Sequence, residues 1–153
     1  MFKFKIPSNH ALVAIALLLM PMAITWSADK VVTWTADDPA LQWGACPDFL
    51  PEGCALAVLQ GDPTKLNADV FFRLPGNSTV AHHWHTSAER MVLVQGEFHV
   101  FYDDHDPVVM RAGTYAYGPA RLPHSAECRS SEPCVLFIAF EEPVDAIPTG
   151  HEH

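Results

Sequence analysis

Arg90-Met-Val-Leu-Val-Gln-Gly-Glu-Phe-His-Val-Phe-Tyr102 holds two short runs rich in β-branched and aromatic residues, Arg90–Val94 and Glu97–Tyr102, on either side of Gln95-Gly96. Strand-forming runs of this length around a glycine dipeptide predict a β-hairpin. The same rhythm extends outward in both directions. Ala55–Leu59 is closed by Gly61-Asp62-Pro63 and Asp69–Leu74 by Pro75-Gly76-Asn77, while Val108–Arg111, Thr114–Tyr117 and Cys134–Phe140 supply three more runs. Short strands at this spacing, with no amphipathic helical period between them, predict a single all-β sandwich or barrel over residues 55–142. Residues 28–54 read as an irregular N-terminal segment and 143–153 as a flexible tail.

Composition limits the function classes. Of 153 residues, 49% are hydrophobic and 18% charged, too apolar for a disordered chain. Thirteen prolines and eight glycines interrupt the chain too often for a helical bundle. Nine Lys+Arg stand against 18 Asp+Glu, a formal charge of −9 with no basic stripe, so nucleic acid is not an expected partner. Lys3 and Lys5 precede the apolar run Ala11–Met20, and small residues follow at Thr25 and Ser27. This pattern reads as a signal peptide over residues 1–27, giving an exported, periplasmic or secreted protein without stable membrane insertion after cleavage. The alternative is an uncleaved anchor, for which the apolar run is short.

All four cysteines fall after that segment, an even number suited to an oxidising compartment. Three connectivities exist. The favoured one pairs Cys46 with Cys54 and Cys128 with Cys134, each bracketing a short proline-containing loop. Separations of eight and six residues fit zinc spacing poorly.

The chemistry concentrates in Ala81-His-His-Trp-His-Thr-Ser-Ala-Glu89. Alternate residues of a strand share a face, so His83 and His85 point one way while Trp84 and His82 point the other. Glu89 follows a tight turn at Thr86-Ser87 and can return a carboxylate to the same centre. Two imidazoles and a carboxylate make a partial shell for a divalent metal. His124, after Pro119-Ala-Arg-Leu-Pro123, is the candidate fourth donor. His151-Glu152-His153 also has ligand types, but a tail end lacks preorganisation.

His83-x-His85-x3-Glu89-x6-Gly96 resembles the first motif of the cupin superfamily, with Gly76 within one residue of its expected place. Gly113-x5-Pro119-x-Arg121-x2-His124 resembles the second motif, except that Arg121 replaces a usual glycine and Cys128 a usual asparagine. Residues 43–63 further resemble small exported bacterial cupins. The resemblance implies a cupin-type β-barrel, also called a double-stranded β-helix or jelly roll, around one metal ion. It implies His83, His85, Glu89 and His124 as ligands and admits a homodimer.

A shell of nitrogen and oxygen donors suits Fe, Mn, Ni, Zn or Cu. Tyr115, Tyr117, Arg121 and His99 are candidates for a pocket that receives a small-molecule substrate or ligand; catalytic residues beyond the metal shell are not assigned. The leading reading is an oxygenase or oxidase on a small oxygen-rich organic compound. The alternatives are a metal-dependent lyase, isomerase or hydrolase, and a non-catalytic binding module. Protonation of the histidines is expected to release the metal as the pH falls through about 5–6.

Overall fold

The computed structural model describes residues 30–150. The segment read as a signal peptide, residues 1–27, and the terminal His151-Glu152-His153 lie outside the described residues. Among the described residues no helix is long and apolar enough to cross a membrane.

Among the described residues, eleven strands form two antiparallel sheets. They are β1 (Trp43–Ala45), β2 (Ala55–Gln60), β3 (Ala68–Leu74), β4 (Ser78–Trp84), β5 (Glu89–Gln95), β6 (Glu97–Tyr102), β7 (Val108–Arg111), β8 (Tyr115–Gly118), β9 (His124–Cys128), β10 (Cys134–Phe140) and β11 (Ile147–Pro148). One sheet runs β1-β2-β3-β10-β5-β8 and the other β11-β4-β9-β6-β7. This is the all-β jelly roll that the strand pattern and the motifs imply. Val70, Leu74 and Leu93 from the first sheet meet Val80, Phe98 and Val100 from the second in one buried cluster.

The stretch 90–102 does not form a hairpin. β5 already has β10 and β8 as lateral partners, so no hydrogen-bonding edge is left for β6. The chain instead turns a corner at Gly96 and carries β6 into the opposite sheet. Gly96 has φ +93°, and a Cβ there would lie 2.8 Å from Ser130 Oγ and 2.9 Å from Cys134 Sγ. A left-handed backbone and a crowded approach both select glycine.

Two further expectations are corrected. The segment 28–54 contains β1, whose Trp43, Gly44 and Ala45 pair with Ala57, Leu56 and Ala55. Residues 143–150 are docked rather than loose: β11 pairs with Trp84 and His83 of β4, and Thr149 N–H donates to His82 O at 3.2 Å. A strand of two residues carries too little pattern to be seen in sequence.

Both disulfides follow the favoured pairing. Cys46–Cys54 joins the end of β1 to the start of β2, with Cα atoms 5.6 Å apart. Cys128–Cys134 ties the end of β9 to the start of β10, so it staples one sheet to the other, with a Cα separation of 5.7 Å. Closing a loop this short stabilises by about 2–3 kcal/mol through the unfolded state. A Cys128→Ser/Cys134→Ser variant is therefore expected to lose about that much in urea unfolding; an unchanged midpoint would show that the sheets need no staple.

Candidate metal centre

His83 lies at the end of β4 and His85 just beyond it, where the local backbone is irregular. Val80 faces the interior, Ala81 and His82 are both exposed, and His83 faces the interior again. The pairing of β4 with β9 shifts register between Val80 and His83, a β-bulge that lets an even and an odd residue both point inward. His124 opens β9 directly opposite His83. Glu89 opens β5, after a turn held by Ser87, whose buried hydroxyl accepts from Glu141 N–H and Glu142 N–H at 2.9 and 3.1 Å.

The four residues meet in the wall of one cavity. His83 Nε2 and His85 Nε2 are 3.0 Å apart, and donor atoms of His83, His85 and His124 all lie within 4.8 Å of one another. The Glu89 carboxylate approaches His85 Nε2 at 3.4 Å and His124 Nε2 at 3.7 Å. All four side chains are buried.

Hydrogen bonds on the far side of each ring fix what these atoms offer. His83 Nδ1–H donates to Ala81 O at 2.7 Å, His124 Nδ1–H to Leu122 O at 3.0 Å, and His85 Nδ1–H to Asp145 O. A carbonyl only accepts, so each neutral imidazole carries its proton on Nδ1 and turns a bare Nε2 lone pair inward. Three lone pairs and a carboxylate therefore face one another. Buried acceptors left unmatched cost about 1–3 kcal/mol each. A cation resolves the conflict, and neutral imidazole with carboxylate is a donor set that divalent transition metals favour. The residues fit the ion that the motifs imply.

Asp145 belongs to the segment expected to be a loose tail, and sequence reasoning missed it. Its carboxylate accepts from Thr86 N–H at 2.9 Å and from the Thr86 hydroxyl, while its carbonyl fixes the ring of His85. No motif marks it, because the contact spans 60 residues of sequence.

The four residues assigned to a substrate pocket do not reach the cavity. Tyr115 and Tyr117 are 59% and 52% exposed, on the outer face of β8, because Ala116 takes the inward position. His99 lies on the outer face of β6, where Nε2 contacts Glu97 Oε1 at 2.9 Å, while Phe98 and Val100 point inward. Arg121 is exposed and sits 6.0 Å over the Trp84 ring. Its backbone has φ +63°, which explains the usual glycine at this position, and its N–H donates to His85 O at 2.8 Å.

Tyr102 stands behind the cluster, its ring centroid 5.0 Å from that of His124. Its hydroxyl is buried without a partner among the described residues, and burial together with the Glu89 charge pushes its ionisation far upward. A Cβ at Gly118 would come within 2.6 Å of that hydroxyl and 3.4 Å of Glu89 Oε2, so glycine here leaves room for both.

Burial, then the neighbouring His124 and His85, pull the His83 pKa down to about 3; burial also lowers that of His124. Proton competition for the His83 ring thus begins below the pH 5–6 window read from sequence. Between pH 6.5 and 3 the unfolded chain binds protons that folded His83 refuses, so stability falls as the pH falls. The slope is at most about 1.4 kcal/mol per pH unit for one such group. Metal-free protein is expected to lose thermal stability steadily from pH 6.5 to 4, less steeply in His83→Gln. Equal slopes would show that the folded ring protonates freely.

The cupin domain family model matches residues 70–140. A comparison with curated proteins found no match. Among solved structures, the chain is similar to the DMSP lyase DddQ from Ruegeria pomeroyi, at 18% identity and a TM-score of 0.62, covering 74% of this chain and 63% of that one. It thus spans less than two thirds of that enzyme. It is also similar to the polyketide cyclase RemF from Streptomyces resistomycificus, at 11% identity and a TM-score of 0.64, covering 80% and 89% of the two chains. A third likeness is to an RmlC-like cupin from Shewanella frigidimarina, at 21% identity and a TM-score of 0.56, covering 69% and 86%. Both motifs fall inside that match, so residues 70–140 are the stretch that belongs with the cupin domain family.

Proposed function

We propose that this protein is an exported, metal-dependent cupin enzyme that acts on a small organic molecule, with oxygenase or oxidase chemistry as the leading reaction class. The observation that carries the metal reading is the set of three Nδ1-anchored imidazoles turning bare Nε2 atoms toward one another beside Glu89. When bound there, a divalent transition ion supplies Lewis acidity and, for a redox-active metal, electron transfer to or from oxygen.

The walls support chemistry centred on that ion. Among the described residues, the titratable side chains lining the cavity are the four candidate ligands and Asp145. Asp145 has both carboxylate oxygens engaged by Thr86, which leaves it poorly placed to shuttle a proton. A lyase, isomerase or hydrolase needs a general acid or base, and here that role falls to Glu89, already a candidate ligand, or to a water on the ion. An oxygenase makes no such demand. The lyase and the cyclase among the structural relatives share the fold alone.

Export is supported by the signal-peptide pattern and by two disulfides, which persist in oxidising compartments.

Protein directed to an oxidising compartment is expected to carry about one transition metal per chain by mass spectrometry, lost in His83→Ala/His85→Ala. Substrate-dependent oxygen uptake then supports the oxygenase class, whereas turnover without oxygen uptake transfers the assignment to Lewis-acid chemistry. Wild type that stays metal-free after reconstitution contradicts the proposal. Asp145→Ala frees Thr86 and unpins the carbonyl on His85, so metal affinity is expected to fall roughly tenfold or more. Unchanged affinity would leave Asp145 without a role at the metal.

A further inference from the structure

The cavity in front of the histidines has a volume of about 210 Å³. Beyond the candidate ligands and Asp145, its walls are aliphatic and aromatic, with Phe72, Met91, Val100, Leu136 and Ile138 among them. Among the described residues, no lysine or arginine lines it, and no asparagine, glutamine, serine, threonine or tyrosine does so either. The exposed lining residues, Ala45 and Pro47, place the mouth at the disulfide-bounded loop that begins with β1.

These walls select by charge and by polarity. A second anionic group on a substrate would find no cation and no hydrogen-bond donor, and its desolvation would go uncompensated. The carboxylates of Glu89 and Asp145 in the cavity wall also offset the charge of a divalent ion, so little net attraction remains for a distant anion. A hydrocarbon body, in contrast, gains by burial in proportion to its area. Dry apolar cavities of about 150 Å³ admit benzene, so this one has room for a body of that size.

We propose that the cavity takes a small, uncharged, predominantly hydrocarbon molecule that presents a single oxygen-bearing end to the histidine cluster. This revises the oxygen-rich compound expected from sequence. The oxygen-bearing end rests on the metal reading; the hydrocarbon body does not.

Two arms test the parts separately. Benzene, which has no metal-binding group, is added to the metal-free protein. At saturation it is expected to raise Tm by about 2–4 °C, and Ala126→Phe, which fills the cavity, is expected to abolish the shift. If that variant does not fold, Ala146→Phe, at a second lining position, serves the same purpose. Zinc-loaded protein is then titrated with acetohydroxamate, hexanohydroxamate and adipic acid monohydroxamate, which share one chelating head. Hexanohydroxamate is expected to bind at least about tenfold tighter than acetohydroxamate, and at least about tenfold tighter than its carboxylate-ended counterpart. Zinc uptake with equal or reversed affinities, or no benzene shift in a folded protein, overturns this inference and leaves the metal reading intact. A benzene shift in a protein that binds neither zinc nor any hydroxamate supports the apolar body and overturns the metal reading.

Discussion

Three backbone carbonyls, of Ala81, Leu122 and Asp145, hold the Nδ1–H groups of three imidazoles and so aim three Nε2 lone pairs at one point. Nothing in a protein interior makes that arrangement comfortable without a positive charge at the centre. The carbonyls themselves are placed by the bulge of β4, by the loop before β9, and by the clamp between Asp145 and Thr86. Ligand geometry thus resides in the backbone, which a side-chain list would not reveal.

The fold serves this point in particular ways. A bulge at Ala81-His82 turns β4 so that His83 and His85 follow Val80 into the interior. The corner at Gly96, rather than a hairpin, puts Met91 and Phe98 on facing sheets and opens space between them. Cys128–Cys134 holds the two sheets together beside that corner, and the segment 143–150 closes against β4. Three histidines and Glu89 therefore stand in the wall of an otherwise almost wholly apolar chamber.

Much of this was legible in the residues. Alternation placed His83 and His85 on one face, the turn at Thr86-Ser87 brought Glu89 back, and His124 lies across from His83. The cysteine pairing also followed from spacing. What alternation does not supply is the sign of a face. Tyr115 and Tyr117 do share one, but the inward position of β8 went to the small Ala116, which no hydrophobic pattern favours over tyrosine. His99 was placed near the site by its residue type, whereas its inward-facing neighbours Phe98 and Val100 turn it outward. Gln95-Gly96 satisfied a local hairpin rule that the lateral partners of β5 overrode. Asp145 escaped notice because it acts mainly through its carbonyl, which every residue possesses.

Long-range proton–nitrogen correlation spectra of the imidazoles, recorded on metal-free protein near pH 7 and during a zinc titration, test the central claim most directly. The arrangement predicts that His83, His85 and His124 are all neutral with the proton on Nδ1, and that all three Nε2 resonances move together to completion at about one zinc per chain. A proton on Nε2 of any of the three in the metal-free state, or zinc that perturbs only one ring, would contradict it.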